Sequence, residues 1–501
     1  MQFTRSGKFS RASTTTNTTT NQTLSTTGFY GSSVIYTASG GDTTLTGSDA
    51  NEAFIYDLTL SGTNALRFSG FETFDAGGGD DIMDFTVRPA NAGHEYATYA
   101  SVYGGLGNDV IWTAGSHIYE VYGDNRAMIG TSASDLVQGG NDIIDLSAAT
   151  ATTTTYGDGY NLSWAKGGND TITGSGASDV IYGDGGSLAS DDGSSAFGGD
   201  DAIEGGAGND WLYGDAIRLA NGYGTTATGG NDRLYAGTGT DGDTLYGDGQ
   251  DFANGTSSTA IGGDDALYGN DGDNSLYGDG EQFSNGDNSK STGGNDIVLG
   301  GGGNDLIFGD ADYFGEANGT TVKGGDDSLA GEDGNDTIYG DARSVGYGSI
   351  QVTATGGADM LFGGAGTDIL IGDVASVAGG VTLTCGNDRL DGGTGDDKLY
   401  GDVSGSISGG GVVIGGNDTF VFQPNSGADT IYDFGQVAGS STGDDLIDVS
   451  AYGYSSFGEL NITGNGTSTV TIDFGGGNSV KVQNKANTAL TLDASDFIFG
   501  A

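Results

Sequence analysis

The chain has 501 residues, with 68 acidic against 16 basic side chains, 100 glycines, 2 prolines and 1 cysteine. A formal charge of -52 repels nucleic-acid phosphates and anionic lipid headgroups, so neither is an expected partner, whereas a multivalent cation is. Glycine without a three-residue period excludes collagen, a single cysteine (Cys385) excludes an internal disulfide, and Leu, Ile, Val and Phe at about one residue in five would read as disorder without a repeat.

Residues 1–28 are mostly Thr, Ser and Asn, with little to bury, and are expected to be disordered. Their basic residues precede no apolar core of the kind a cleavable secretory peptide needs, and no run in the chain approaches the ~18 apolar residues of a membrane span. Transmembrane insertion is therefore not expected. Residues 29–138 hold isolated strand patterns and two glycine turns that end at Asp81 and Asp109. They read as a degenerate solenoid start or an N-terminal cap, since an open coil end must be shielded.

From 139 to 414 the chain repeats itself about every 31 residues. Gly-Gly-X-Asp tracts set a first column: Asp142, Asp170, Asp201, Asp232, Asp265, Asp296, Asp327, Asp359, Asp388 and, just beyond, Asp418. A second column follows nine or eleven residues later: Asp179, Asp210, Asp243, Asn274, Asp305, Asp336, Asp368, Asp397 and Asp429. Two residues after each position stands a large hydrophobe, Ile172, Ile203, Leu234 and Ile181, Leu212, Leu245 among them. One fixed apolar site beside freely varying ones means a short strand with a single side chain turned inward. The fold expected is all-β, a parallel β-roll or β-solenoid of Gly-Asp-rich repeats.

The segment Gly205–Tyr213 fits G-G-x-G-x-D-x-U-x throughout, as do Gly104–Trp112, Gly363–Ile371 and Gly392–Tyr400. On these motifs the chain resembles the RTX, or hemolysin-type, calcium-binding repeat proteins. The resemblance implies multiple Ca²⁺ ions held by glycine carbonyls and by Asp from neighbouring turns. The residue chemistry agrees: Asp supplies hard anionic oxygen, and a like-charged row of carboxylates at the ~4.8 Å strand spacing is unstable without cations. Candidate metal ligands are therefore Asp81, Asp109 and the aspartates of both columns.

The repeat departs from the family's 18-residue coil by about 13 residues, which fall after a nearly fixed Tyr-Gly-Asp, as at Tyr182–Asp184, Tyr213–Asp215 and Tyr246–Asp248. Asn-Gly within the insertion, at Asn221–Gly222, Asn254–Gly255 and Asn285–Gly286, signals a hairpin. A lateral hairpin flap on each coil is expected, the flaps stacking as an extra sheet layer, with the calcium geometry departing most from the family's on that side. The tyrosines themselves, Tyr182, Tyr213, Tyr246 and Tyr277, read as a stacked ladder that stabilises a sheet, with a sugar-binding platform as the lesser alternative.

Residues 415–501 change composition and resemble the β cap of type I secretion substrates, and the tail Leu492–Phe499 resembles their uncleaved export signal. Type I secretion machinery is thus an implied partner. Enzyme signatures fail: His94-Glu95 opens an H-E-x-x-H pattern that Thr98 breaks, and two histidines leave little for a nucleophilic triad. Cys385 replaces a turn glycine and reads as a small buried side chain. The expectation is a secreted, non-enzymatic protein of the cell surface or matrix that folds on calcium. A polysaccharide-binding or host-interaction role, or self-assembly, stands as the alternative, and a pore-forming toxin as the weaker one.

Overall fold

The computed structural model describes residues 16–18, 22–23, 35–38, 43–57, 66–435 and 445–500. Of the stretch 1–28, only two short strands are described; the remaining expectation, like Gly443 and Asp444 of the cap, lies outside the described residues. The chain is a parallel β-solenoid, and the described residues contain no α-helix, only short 3₁₀ turns.

Each coil contributes one strand to a first sheet, which runs through fifteen strands from Ala53–Ile55 to Phe497–Ile498. Ile144 pairs with Ile172, Ile172 with Ile203, Ile203 with Leu234 and Leu234 with Leu267, so the inward hydrophobes stack in register. A second parallel ladder carries Ile181, Leu212, Leu245, Leu276 and Ile307 in the same way. Both columns are buried in one continuous core. Each such side chain contributes about 1.5–3 kcal/mol, and a one-residue slip would expose the whole column.

Period-two alternation turns the residue after each second-sheet hydrophobe to the opposite face. That face is covered. Tyr182, Tyr213, Tyr246, Tyr277, Phe308 and Tyr339 form a continuous ring stack, with centroids 4.7–5.0 Å apart and planes within 8–17°. Ile217 packs against it, Glu281 accepts from the Tyr246 hydroxyl, and Arg343 lies over the Phe308 ring. The ladder is thus interior, with Tyr213 1% exposed, and offers no platform to a sugar.

The insertion after Tyr-Gly-Asp forms a lateral lobe whose strands stack as an extra sheet layer, as expected, but without the expected hairpin inside each coil. The outgoing strands Gly185–Leu188, Arg218–Leu219, Asp251–Phe252 and Gly280–Phe283 pair in parallel from coil to coil. The returning strands Ser195–Phe197, Thr226–Thr228, Thr259–Ile261 and Lys290–Thr292 do the same. Between them lies a second core, in which Leu188, Leu219, Phe252 and Phe283 meet Ala196, Ala227 and Ala260. No antiparallel hairpin forms because a type I′ turn needs positive φ at both central residues. Here the left-handed residue is instead Ala220 (φ 56°) or Ala253 (φ 50°), one position before the Asn-Gly pair.

The two ends differ from the middle. Near the N-terminus Phe54, Phe68, Phe71, Phe74, Phe85 and Tyr96 fill the core with rings, Phe74 and Phe85 meeting edge to face at 4.7 Å. At the other end Asn461–Thr463, Val470–Gly475 and Asn478–Val482 form an antiparallel β cap, whose last strand continues the second sheet beside Ala428–Ile431. Antiparallel strands stop the propagation of parallel coils.

Candidate metal centres

Every Gly-Gly-X-Asp turn ends where a first-sheet strand begins, so its aspartate sits at a corner of the coil. Asp81, Asp109, Asp142, Asp170, Asp201, Asp232, Asp265, Asp296, Asp327, Asp359, Asp388 and Asp418 form one row, which Asp445 extends. The N–H of each donates to Oδ1 of the aspartate in the next coil: Asp109 to Asp142 at 2.6 Å, Asp170 to Asp201 at 2.6 Å, Asp265 to Asp296 at 2.8 Å. Asp81 and Asp109, read from sequence as separate turns, belong to this row. At the opposite corner Asp179, Asp210, Asp243, Asn274, Asp305, Asp336, Asp368, Asp397 and Asp429 repeat the arrangement, with Asp179 donating to Asp210 at 2.8 Å and Asp336 to Asp368 at 2.8 Å.

A third row was missed by the sequence reading. It consists of the aspartates of Tyr-Gly-Asp and their equivalents: Asp124, Asp158, Asp184, Asp215, Asp248, Asp279, Asp310, Asp341, Asp373, Asp402 and Asp433, none more than 1% exposed. Each of those from Asp124 to Asp402 accepts from the second residue of the next Gly-Gly-X-Asp tract or its equivalent, as Gly294 N donates to Asp279 Oδ1 at 2.8 Å and Gly386 N to Asp373 Oδ1 at 2.7 Å. The signal lies in the near-fixed Tyr-Gly-Asp itself, which in sequence reads as the start of the insertion.

The first and third rows are two halves of one split turn. The uninterrupted turn Gly104–Asp109 shows this: Gly104 N donates to Tyr122 O and Gly105 N to Asp124 O, while Asn141 N returns to Asn108 Oδ1 and Asp109 N to Asp142 Oδ1. The lobe therefore enters inside a nonapeptide turn without dispersing it. The flap side, expected to depart most from calcium geometry, carries two buried carboxylates per coil where the other corner carries one.

Chemically, the rows are one cation short. Oδ1 of the first-row and second-row aspartates is used by a backbone N–H, yet Oδ2 of Asp142, Asp170, Asp201, Asp210, Asp232, Asp265 and most of their equivalents is buried with no hydrogen-bond partner; Asp179, Asp243 and Asp445 differ, their Oδ2 accepting from Ser175, Asn270 and Gly435. A buried acceptor left unsatisfied costs about 1–3 kcal/mol, and more when charged. Neighbouring carboxylates ~4.8 Å apart repel by roughly 3–4 kcal/mol at an effective dielectric of about 20. Burial first, and like-charged neighbours second, push the Asp109 carboxyl up to about 8, against Asp124 and Asp80. Asp210 and Asp305 rise to about 7, mainly by burial. Asp170, Asp201, Asp232 and Asp248 are held far above the carboxylate range by the same causes in the same order.

The fit to an oxygen-seeking divalent cation is geometric as well as electrostatic. Carboxylate oxygens of Asp109, Asp124 and Asp142 all lie within 4.8 Å of one another, which is the span two ligands of one Ca²⁺ at ~2.3–2.6 Å can have. Glycine is needed beside them: a Cβ on Gly183 would overlap Gly214 O and Asp201 Oδ2. Asn274 shows what the orphaned oxygens face. Its Nδ2, standing where the other coils place Oδ2, donates to Gly272 O at 2.8 Å and Gly300 O at 3.2 Å. In the Asp coils an acceptor thus points at carbonyl oxygens, and a cation between them, or at low pH a proton, reconciles the contact.

The described residues hold these rows in every coil that the sequence matches. A model of the RTX calcium-binding nonapeptide repeat matches residues 101–116, 156–187, 195–216, 259–281, 284–313, 322–342, 351–374 and 386–403. No curated protein matches the chain.

Proposed function

Since the chain is an RTX calcium-binding nonapeptide repeat protein, we propose that it is a secreted, non-enzymatic structural component of the cell surface or extracellular matrix, folded by the calcium its coils bind. The observation that carries this reading is the line of buried aspartate Oδ2 atoms without partners. RTX repeats bind calcium. At low calcium the rows repel and the chain stays open, a state suited to type I export; outside the cell, each filled site adds RT ln(1 + [L]/Kd), about 2.7 kcal/mol at a hundredfold excess over Kd. The carboxylates are sealed between coils, closed to any substrate, so the reading gives them no catalytic role. Cell fractionation tests the placement: the protein is expected in the surface or matrix fraction with calcium and in the medium after chelation. An intracellular, calcium-indifferent distribution would contradict it.

A second reading has one observation in its favour. Tyr235 and Tyr268 stack at 4.7 Å with planes 8° apart on the outer side of the first sheet, where Tyr235 is 41% exposed and Glu204 lies beside it. Paired open rings with an adjacent carboxylate suit a polysaccharide. A glycan array in millimolar calcium separates this from a purely structural role: retention abolished by Tyr235→Ala supports it, and no retention removes it.

A further inference from the structure

Cys385 interrupts a pattern. At the equivalent position Gly139, Gly167, Gly198, Gly229, Gly262, Gly293, Gly324, Gly356 and Gly415 open their tracts. A Cβ on Gly198 would overlap Asp215 Oδ1 and stand 2.8 Å from Asp184 Oδ2; one on Gly356 would overlap both Asp373 Oδ1 and Asp341 Oδ2. A side chain here projects between two successive third-row carboxylates. In the coil of Cys385 that side chain ends in sulfur, and the sulfur lies with one oxygen of Asp373 and one of Asp402 inside a single 4.8 Å cluster. Cys385 is buried and Asp373 fully so. Asp373 Oδ1 takes the Gly386 N–H, Asp402 Oδ1 takes the Gly416 N–H, and Asp373 Oδ2 has no partner at all.

We propose that Asp373, Cys385 and Asp402 form a mixed sulfur and oxygen site that takes a soft divalent cation, of the Zn²⁺ or Cd²⁺ class, in a solenoid whose other coils take calcium. Thiolate favours such ions, whereas Ca²⁺ seeks oxygen alone. On binding, the sulfur–metal bond forms as the thiol proton leaves to solvent, and the two carboxylates bind as anions. The metal's charge offsets three negative ligands, and Lys485, whose ammonium acts on Asp402, helps to offset the remainder. The proposal rests on the calcium-filled solenoid, and its test is arranged to keep the two apart.

The full chain is first brought to its folded β signal in saturating calcium, followed by circular dichroism, and then titrated with Cd²⁺ while thiolate-to-cadmium charge-transfer absorption is read in the ultraviolet. The band is expected to saturate at one equivalent, to survive a large excess of calcium, to vanish in Cys385→Gly, which restores the glycine of the other coils, and to weaken in Asp373→Asn. A folded chain with no thiolate band overturns the site. So does a band of unchanged affinity in both Asp373→Asn and Asp402→Asn, which would mean a thiol acting alone. A chain already folded before calcium is added counts against the calcium reading, and the cadmium band then judges this site by itself.

Discussion

Lys485 donates from Nζ to the carbonyl oxygen of Val403 at 2.5 Å, and so sets an ammonium beside Asp402 and Asp433 at the end of the third row. Burial lowers the lysine's pKa while those two carboxylates pull it back. The cap thereby supplies a fixed positive charge where the row of coils ends. Lys485→Met is expected to cost about 1.5–3 kcal/mol, the range for a hydrogen bond made by a charged group. Urea unfolding in saturating calcium measures it, and an unshifted midpoint would show that the contact has no structural weight.

Asn274 makes the second prediction. Its amide already bridges Gly272 O and Gly300 O, so Asn274→Asp exchanges a donor for an acceptor. The calcium-bound chain should then gain one ion, counted by equilibrium dialysis, because the new carboxylate can be satisfied only by a charge or a proton. An unchanged count would mean that the second-row Oδ2 does not mark the ion's position.

The metal-free fold should respond to pH in the opposite sense to most proteins. Asp109 and Asp397 titrate near 8 when folded, from burial and then from acidic neighbours, against about 3.9 unfolded. A raised folded value means that the stabilisation is fully present below about pH 4 and is lost as pH climbs through about 8. Exhaustively decalcified protein should therefore show more β structure at pH 4 than at pH 8. More structure at pH 8 would contradict the burial of unpaired carboxyls.

The ring stack gives a test independent of metal. Tyr213 stacks on Tyr182 at 4.7 Å and on Tyr246 at 4.9 Å. Tyr213→Leu keeps an apolar side chain but loses two stacked contacts, an expected cost of about 1–3 kcal/mol. Thermal unfolding in saturating calcium reads it, and a loss of stability without any change in ion count is the outcome consistent with a packing role.

Much of this was legible in the sequence. Ile172, Ile203, Leu234 and Ile181, Leu212, Leu245 announced two inward columns because a strand repeats its side-chain direction every two residues, and the structure stacks them in register. What could not be read was where the insertion sat in three dimensions. Asn221-Gly222 has the composition of a hairpin turn, yet pairing with neighbouring coils offered each strand of the lobe two partners, and the left-handed geometry moved to Ala220. For the same reason Asp184, Asp215 and Asp248 passed as flanking residues: their approach to Asp201, Asp232 and Asp265 depends on the lobe closing back on its own turn.

The central claim is that the cations are part of the fold, and a calcium titration of the chelated chain at pH 8, followed by far-ultraviolet circular dichroism and bound-ion counting on the same samples, tests it most directly. The account predicts little β signal at the start and a cooperative rise that tracks the uptake of many ions. A full β signal in chelator, unmoved as calcium is added, would contradict it.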